Sequence, residues 1–207
     1  MILGLDFDNT IASYDDLMHR LAVQWGWLDS GLPSSKRTVR DALRALPDGE
    51  SKWRRLQTHC YGPGMSDAQP MDGVEDFLAA CKERRIPVWI VSHKTQFANF
   101  GDPTVNLRAA AVTWMNQQGL LDADRFGLGL ERVFFEETRQ EKIDRIRSLG
   151  ITHYVDDLEE TFLEKSFPPE VNKILFSPQP LRNGNPHCRA FRTWPDIGQH
   201  LFAHDRA

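Results

Sequence analysis

Residues 1–15, MILGLDFDNTIASYD, contain the signal that decides the fold. The first seven positions are mostly apolar, which is typical of a short strand buried on both faces of a parallel sheet. Asp6 and Asp8 end this strand, and Asn9 and Thr10 follow them. Because open α/β folds bind their ligands at the carboxyl edge of the sheet, the two carboxylates are candidate functional groups.

Four more short apolar runs predict the other strands of one parallel sheet. They are IPVWIVS (86–92), RVFFE (132–136), THYVD (152–156) and KILFS (173–177). Apolar residues at helical spacing predict helices over 72–85, 105–118 and 138–149, the first with a capping box formed by Asp72 and Glu75. Strands that alternate with helices predict an α/β fold with right-handed crossovers.

A helical insert is predicted directly after the first strand, where three apolar stripes have helical spacing. The stripes are Leu17, Leu21, Trp25 and Leu28; then Val39, Ala42, Leu43 and Leu46, after a Ser34–Ser35 cap; then Trp53, Leu56 and Cys60. We therefore expect a core of residues 1–13 and 71–207 and an insert of residues 14–70. Segments rich in Gly and Pro at 62–73 and 177–186 predict linkers.

The composition is that of an ordinary globular chain. Its 207 residues include 25 Lys and Arg against 29 Asp and Glu, a net charge of −4, and 41 % are hydrophobic. No apolar run approaches the roughly 18 residues that a membrane helix needs, and an acid at position 6 argues against a signal peptide. Three cysteines without a CxxC spacing favour a reducing compartment. We expect a cytoplasmic protein that contacts no membrane. Because the sequence has no basic stripe, binding to nucleic acid is disfavoured. The oligomeric state stays open.

Polar side chains also follow the other predicted strands. Ser92 ends the second strand, Lys142 lies in the first turns of the helix after the third, and Asp156 and Asp157 end the fourth. Two carboxylates as close as those after the first strand cost free energy unless a proton or a cation lies between them. Mg²⁺ fits this need, because it binds one or two carboxylates together with a substrate phosphate.

Each of these groups also has an ordinary structural interpretation. Asp, Thr and Ser side chains cap helices and turns, and a lysine on a helix face is most often solvated. Four such features, each after its own apolar strand and in this order, favour a functional site over a chance arrangement.

The motifs, in this order, resemble those of the haloacid dehalogenase (HAD) superfamily of phosphohydrolases. DFDNT (6–10) is similar to the first motif, Ser92 to the second, Lys142 to the third and VDD (155–157) to the fourth. Arg139 and Lys94 are competing candidates for the cation of the third motif. The resemblance implies a Rossmann-like parallel sheet with the strand order 5-4-1-2-3, and Mg²⁺ as the cofactor.

The resemblance also implies a catalytic role for three residues. Asp6 is the nucleophile, which attacks phosphorus and forms an aspartyl-phosphate. Asp8 is the general acid that protonates the leaving alcohol, and then the base for the water that hydrolyses the intermediate. Lys142 offsets the negative charge of the phosphoryl group and of the carboxylates.

Other positions are implied to bind the phosphate and the metal. The phosphate-binding residues are Thr10, Ser92 and Asn9. The metal ligands are Asp6, the backbone carbonyl of Asp8, and Asp156. Asp157 is not expected to bind the metal directly but to orient Lys142 or a water beside it.

In the family, a helical insert between the first two motifs is a cap, and residues 14–70 occupy that place. A closed cap favours a small phosphorylated substrate, such as a sugar phosphate or a nucleotide. His93 and Lys94 are candidates for substrate recognition because they follow the second motif, and Trp27 is a candidate for stacking.

The resemblance implies P–O cleavage, because members of the superfamily that break carbon–halogen or carbon–phosphorus bonds usually lack a carboxylate at the position of Asp8. We therefore expect an Mg²⁺-dependent phosphomonoesterase. One alternative is a catalytically idle HAD-like domain that binds a phosphorylated ligand or a protein partner. Another is a phosphatase of nucleic-acid ends.

Overall fold

The computed structural model describes residues 1–178 and 188–203, in which strands and helices alternate. The strands are β1 (Leu3–Leu5), β2 (Ala12–Ser13), β3 (Gln69–Pro70), β4 (Val88–His93), β5 (Val133–Glu136), β6 (His153–Asp156), β7 (Asn172–Phe176) and β8 (Arg189–Phe191). The helices are α1 (Asp15–Gln24), α2 (Lys36–Arg44), α3 (Gly49–Tyr61), α4 (Val74–Glu83), α5 (Leu107–Gln117), α6 (Ala123–Phe126), α7 (Arg139–Ser148), α8 (Glu159–Leu163) and α9 (Trp194–Phe202). The predicted α/β class is confirmed.

The chain forms two compact units. The first consists of Met1–Ile11, Pro70–Lys94 and Asn116–Ala207, and the second of Ala12–Gln69 and Thr95–Met115. Across residues 1–178 and 188–203, no helix is both long enough and apolar enough to cross a membrane.

Six strands of the first unit form one parallel sheet in the order β5-β4-β1-β6-β7-β8. The five strands predicted from the sequence are β1, β4, β5, β6 and β7. Counted as one to five and read from β7, their order is 5-4-1-2-3, which confirms the prediction. The sequence analysis did not predict β8, whose three residues, RAF, contain no apolar run and are mostly exposed.

The central strand β1 aligns the edge of the sheet at which the polar residues lie. Its Leu3 and Leu5 side chains are fully buried, as expected for a strand covered on both faces. Leu5 pairs with Ile90 of β4 on one side and with Val155 of β6 on the other. The amide of Asp6 then donates to the Val155 carbonyl at 2.8 Å, so the carboxyl ends of these three strands lie side by side.

A capping box of Thr138 and Glu141 starts α7 at Arg139, three residues before Lys142. The Thr138 hydroxyl accepts from the Glu141 amide at 3.1 Å, and the Glu141 carboxylate accepts from the Thr138 amide at 2.9 Å. This reciprocal pair satisfies two of the backbone donors that a helix start leaves free. It also fixes the first turn of the helix, from which the side chain of Lys142 extends.

The capping box predicted for α4 is wrong. Gly73 precedes the helix with a φ of +82° and no side-chain hydrogen bond caps it, so Asp72 and Glu75 do not form the expected pair. The chain enters the helix through a left-handed conformation that glycine adopts without steric cost. A glycine at this position has no side chain with which to cap.

The second unit contains α1, α2, α3 and α5. Ser35 accepts from the Thr38 amide at 3.2 Å and caps α2, as predicted. The indole N–H of Trp114, on α5, donates to the Ala68 carbonyl at 3.0 Å, and the Thr58 hydroxyl donates to the Phe100 carbonyl at 3.0 Å.

These contacts correct the predicted core of residues 71–207, because residues 95–115 cluster with 12–69. Trp114 of α5 contacts Ala68 of that unit, although the spacing of α5 resembles that of the sheet-covering helices. The division of the chain into a core and a 14–70 cap otherwise stays a prediction.

The predicted linkers have different outcomes. Residues 62–73 are not an irregular linker, since they contain a 3₁₀ turn (Met65–Asp67) and β3. In the second linker, 177–186, the residues from 179 onward lie outside the described part of the chain.

Candidate active site

Polar side chains from three strand ends and one helix meet at the carboxyl edge of the sheet in the first unit. Asp6 follows β1, Ser92 lies in β4, Asp156 ends β6, and Lys142 extends from α7. All four are at most 5 % exposed. Buried polar groups of this kind persist only when they are paired or bind something, so their contacts define the site.

Asp6 accepts both of its side-chain hydrogen bonds through one carboxylate oxygen. Its Oδ1 accepts from the Ser92 hydroxyl at 2.8 Å and from the Lys142 ammonium at 2.6 Å. Burial raises the pKa of Asp6 to about 6, and although Lys142 opposes this shift, Asp156 and Asp8 add to it. The carboxylate of Asp6 therefore lies where more positive charge would stabilise it.

Lys142 bridges two carboxylates. Besides Asp6, its ammonium donates to Oδ2 of Asp156 at 2.7 Å. Burial alone would lower the pKa of Lys142, but Asp156 and Asp6 outweigh burial and raise that pKa well above its ordinary value. Lys142 is therefore a permanent cation at the centre of the site.

The acid pair at the end of β6 divides into two environments. Asp156 is fully buried, and while its Oδ2 binds Lys142, its Oδ1 accepts from the Leu158 amide at 2.9 Å. Asp157 is only partly buried, and it offers a carboxylate oxygen within 4.8 Å of oxygens from Asp6 and Asp156. The ammonium of Lys142 thus contacts Asp156, and the expected role of Asp157 toward Lys142 or a water stays a prediction.

These three carboxylates fit a divalent cation. Their oxygens lie close enough to share one ion, and oxygen ligands are those that Mg²⁺ prefers. Burial is the main cause of the raised pKa of Asp6, and the negative charges of Asp156 and Asp8 add to it. A bound cation would stabilise the ionised carboxylate against both effects.

Thr10 and Asn9 add buried atoms that lack partners. Thr10 is fully buried, and neither its Oγ1 nor the Oδ1 of Asn9 has a hydrogen-bond partner among the described residues. Asn9 has a φ of 61°, a left-handed conformation that asparagine tolerates better than most residues. An unpartnered buried hydroxyl costs free energy, so Thr10 marks a place for a ligand or a water.

Asp8 forms an ion pair with a second buried lysine, Lys94. The ammonium of Lys94 donates to both carboxylate oxygens of Asp8, at 2.9 and 2.8 Å. The Lys94 side chain is 2 % exposed and that of Asp8 is 18 % exposed. The sequence analysis placed Lys94 against the substrate and missed this pair, although the two-residue period of a strand places Lys94 on the same face as Ser92.

The remaining predicted residues lie elsewhere. Arg139 pairs at the surface with Glu164 at 2.8 Å, so among the three candidate cations it is Lys142 that binds Asp6. His93 is exposed and its Nε2 donates to the Glu137 carbonyl at 3.0 Å. Trp27 belongs to the second unit, where it packs edge to face on Trp25 with ring centroids 4.7 Å apart.

The fold is that of HAD-superfamily hydrolases. A HAD-family hydrolase from Deinococcus radiodurans with bound phosphate and sodium has a TM-score of 0.56 and 14 % identity, covering 98 % of this chain and 95 % of that one. A HAD-superfamily hydrolase from Ehrlichia chaffeensis has a TM-score of 0.53 and 15 % identity, covering 98 % of this chain and 96 % of that one. A dehalogenase solved with an intermediate complex has a TM-score of 0.52 and 13 % identity, covering 97 % of this chain and 96 % of that one. By sequence, no family model and no curated protein matches the chain.

Replacing Lys142 tests how strongly the site depends on its charge. Lys142→Met keeps most of the side-chain volume but leaves two buried carboxylates without their cation. We expect it to lower the free energy of unfolding by about 3–5 kcal/mol in metal-free buffer, as loss of one partner of a buried ion pair does. Urea denaturation followed by circular dichroism measures this loss.

Arg139→Met is the matched control, because it removes a cation from the same helix whose ion pair is exposed. Arg139→Met should lower the free energy of unfolding by about 0–1 kcal/mol. Equal losses in the two variants would show that Lys142 does not hold the site together.

Proposed function

We propose that the protein hydrolyses small phosphomonoesters, with Asp6 as the nucleophile and Mg²⁺ as the cofactor. The observation that carries the proposal is the pair of aspartates, Asp6 and Asp8, each hydrogen-bonded to its own buried lysine. Cleavage of a phosphate ester needs one carboxylate that attacks and one that moves protons. Two carboxylates in different environments supply these two functions.

The nucleophile is prepared by the contacts of Asp6. Ser92 and Lys142 both donate to Oδ1, and the described residues place no donor on Oδ2. Oδ2 attacks phosphorus, and the bond from phosphorus to the ester oxygen breaks. Because Lys142 is fixed before the reaction, it stabilises the charge of the transferring group without reorganisation.

Asp8 transfers the protons. In the first step it gives a proton to the leaving alkoxide, and in the second step its carboxylate takes a proton from the attacking water. That water attacks the phosphorus of the aspartyl-phosphate, which releases inorganic phosphate and restores Asp6. The hydroxyls of Thr10 and Ser92, with Asn9, are the proposed contacts of the phosphoryl oxygens.

Asp6, Asp156 and Asp157 are the proposed metal residues. Asp157 is the most exposed of the three, whereas Asp156 is fully buried and already binds Lys142. We therefore propose Asp157 as a direct ligand beside Asp6, and Asp156 as a ligand that also orients Lys142. When bound, Mg²⁺ supplies positive charge that neutralises these carboxylates and draws the phosphate dianion to the site.

The comparisons support hydrolysis but include two chemistries. The hydrolase from Deinococcus radiodurans contains phosphate and sodium, whereas another structure with this fold is a dehalogenase. A halide leaves as a stable anion without a proton, while an alkoxide needs one. The second carboxylate, Asp8, therefore favours phosphate esters.

The proposed substrate is a small metabolite, such as a sugar phosphate or a nucleotide. Residues 14–70 remain the predicted cap, and His93 and Trp27 remain candidates for substrate contact. An idle ligand-binding domain would need neither the nucleophile nor the proton carrier, so turnover decides between the two functions.

Hydrolysis of p-nitrophenyl phosphate tests the proposal directly. The purified protein should release p-nitrophenolate with Mg²⁺, lose the activity in excess EDTA and regain it when Mg²⁺ is restored. Asp6→Asn should be inactive by several orders of magnitude, because its amide cannot form the bond to phosphorus. A phosphatase activity that survives either EDTA or Asp6→Asn would contradict the mechanism.

The two acids at the end of β6 should respond differently to substitution. Asp157→Asn should raise the Mg²⁺ concentration for half-maximal activity by about 10-fold or more, with little change in thermal stability in EDTA. Asp156→Asn should lower the thermal stability, since it removes a partner of the buried Lys142. The opposite pattern would return the ligand role to Asp156 alone.

A further inference from the structure

We propose that Lys94 is a positioning residue, whose buried ammonium holds the Asp8 carboxylate in the orientation from which it exchanges protons with the substrate. The inference rests on the proposed function and deepens it. It assigns to Lys94 a contact with Asp8 in place of the substrate contact that the sequence suggested.

The geometry argues against a Lys94 side chain that is solvent-exposed and available to bind an anionic substrate. Both oxygens of Asp8 accept from the Lys94 ammonium, at 2.9 and 2.8 Å. The Lys94 side chain is 2 % exposed, and its ammonium lies 5.5 Å from the centroid of the Phe7 ring. A substrate phosphate that recruited this ammonium would have to take it from Asp8.

The backbone at Lys94 is fixed by a hydrogen bond, and the burial of the side chain restricts the position of its ammonium. The Lys94 amide donates to the Glu136 carbonyl at 2.9 Å, which extends the pairing of β4 with β5 by one residue. Asp8, by contrast, lies beyond the end of β1, and Asn9 after it has a left-handed backbone. Rotation about the terminal torsion of an aspartate is soft, and two hydrogen bonds to one ammonium restrict it.

The arrangement separates the tasks of the two lysines. Lys142 contacts the nucleophile Asp6 and Asp156, while Lys94 contacts Asp8. A change at Lys94 should therefore disturb proton transfer and leave nucleophilic attack largely intact. A reaction whose leaving group needs a proton must suffer more than one whose leaving group does not.

The test compares two substrates whose leaving groups differ in basicity. In single turnovers, Lys94→Met should slow the release of p-nitrophenolate from p-nitrophenyl phosphate only slightly, because p-nitrophenolate leaves without much protonation. The release of ethanol from ethyl phosphate should slow by about 10-fold or more, within the range of 10²–10⁴ that acid–base catalysis contributes. Hydrolysis of the aspartyl-phosphate, in which Asp8 is the base, is common to both substrates and does not enter this comparison. The substrate concentration for half-maximal single-turnover rate should change little, since the ammonium does not bind the phosphate.

A double-mutant cycle with Asp8→Asn shows whether Lys94 acts through Asp8. The double variant Asp8→Asn/Lys94→Met should hydrolyse ethyl phosphate no more slowly than Asp8→Asn alone, because the residue that Lys94 positions is already lost. Multiplying losses would show an independent role and overturn the proposal. The control Lys82→Met removes an exposed lysine of α4 and should leave both activities unchanged.

Other outcomes are equally decisive. A rise of the half-saturating concentration of both esters with the single-turnover rate retained would make Lys94 a substrate-binding residue, and an equal loss of the single-turnover rate on both esters would make it merely structural. If Lys94→Met does not fold, Lys94→Gln, which keeps a donor, takes its place in the same comparisons. Wild-type protein that hydrolyses neither ester refutes the proposed function and this inference with it, whereas an active wild type with an unselective Lys94→Met refutes the inference alone.

Discussion

The buried ammonium of Lys142 is the interaction on which the rest of the site depends. It reaches from α7 to Asp6 at the end of β1 and to Asp156 at the end of β6. Without it, two carboxylates would lie close together in a region that excludes water, where like charges are costly. The charge of one side chain therefore permits two strand ends to bring acidic groups to one point.

A second ion pair, Lys94–Asp8, gives the site its asymmetry. Asp6 shares Lys142 with Asp156, has a pKa raised to about 6 by burial, and accepts a hydrogen bond from Ser92. Asp8 is more exposed and is paired with a different cation. Two carboxylates two residues apart in the sequence thus acquire different surroundings, which is the physical basis for assigning one to bond formation and the other to proton transfer.

The sheet and the identity of the central residues were predictable from the sequence, because they depend on local pattern. Each strand is a short apolar run, and each polar residue of the site follows its own run or begins the next helix. Lys142 is an example, since Thr138 and Glu141 form a capping box that places Lys142 in the first turn of the helix. The strand order, and with it which strand ends are neighbours, was implied by the resemblance to the HAD superfamily rather than by the local pattern.

What the sequence did not predict depends on contacts between distant segments. Residues 95–115 belong to the second unit, in which the indole of Trp114 donates to the Ala68 carbonyl. No periodicity in the sequence indicates this contact. The partner of Lys94 is another case, because a lysine after a strand can face solvent, substrate or a carboxylate with the same local pattern.

The measurement that tests the account most directly is chemical identification of the covalent intermediate. Acid-quenched protein that has reacted with p-nitrophenyl phosphate and Mg²⁺ would be reduced with borohydride, which converts an aspartyl-phosphate to homoserine. Mass spectrometry of the N-terminal peptide should then find homoserine at position 6, with a larger yield in Asp8→Asn, where hydrolysis of the intermediate is slowed. An active enzyme with unmodified Asp6 in both proteins would contradict the account.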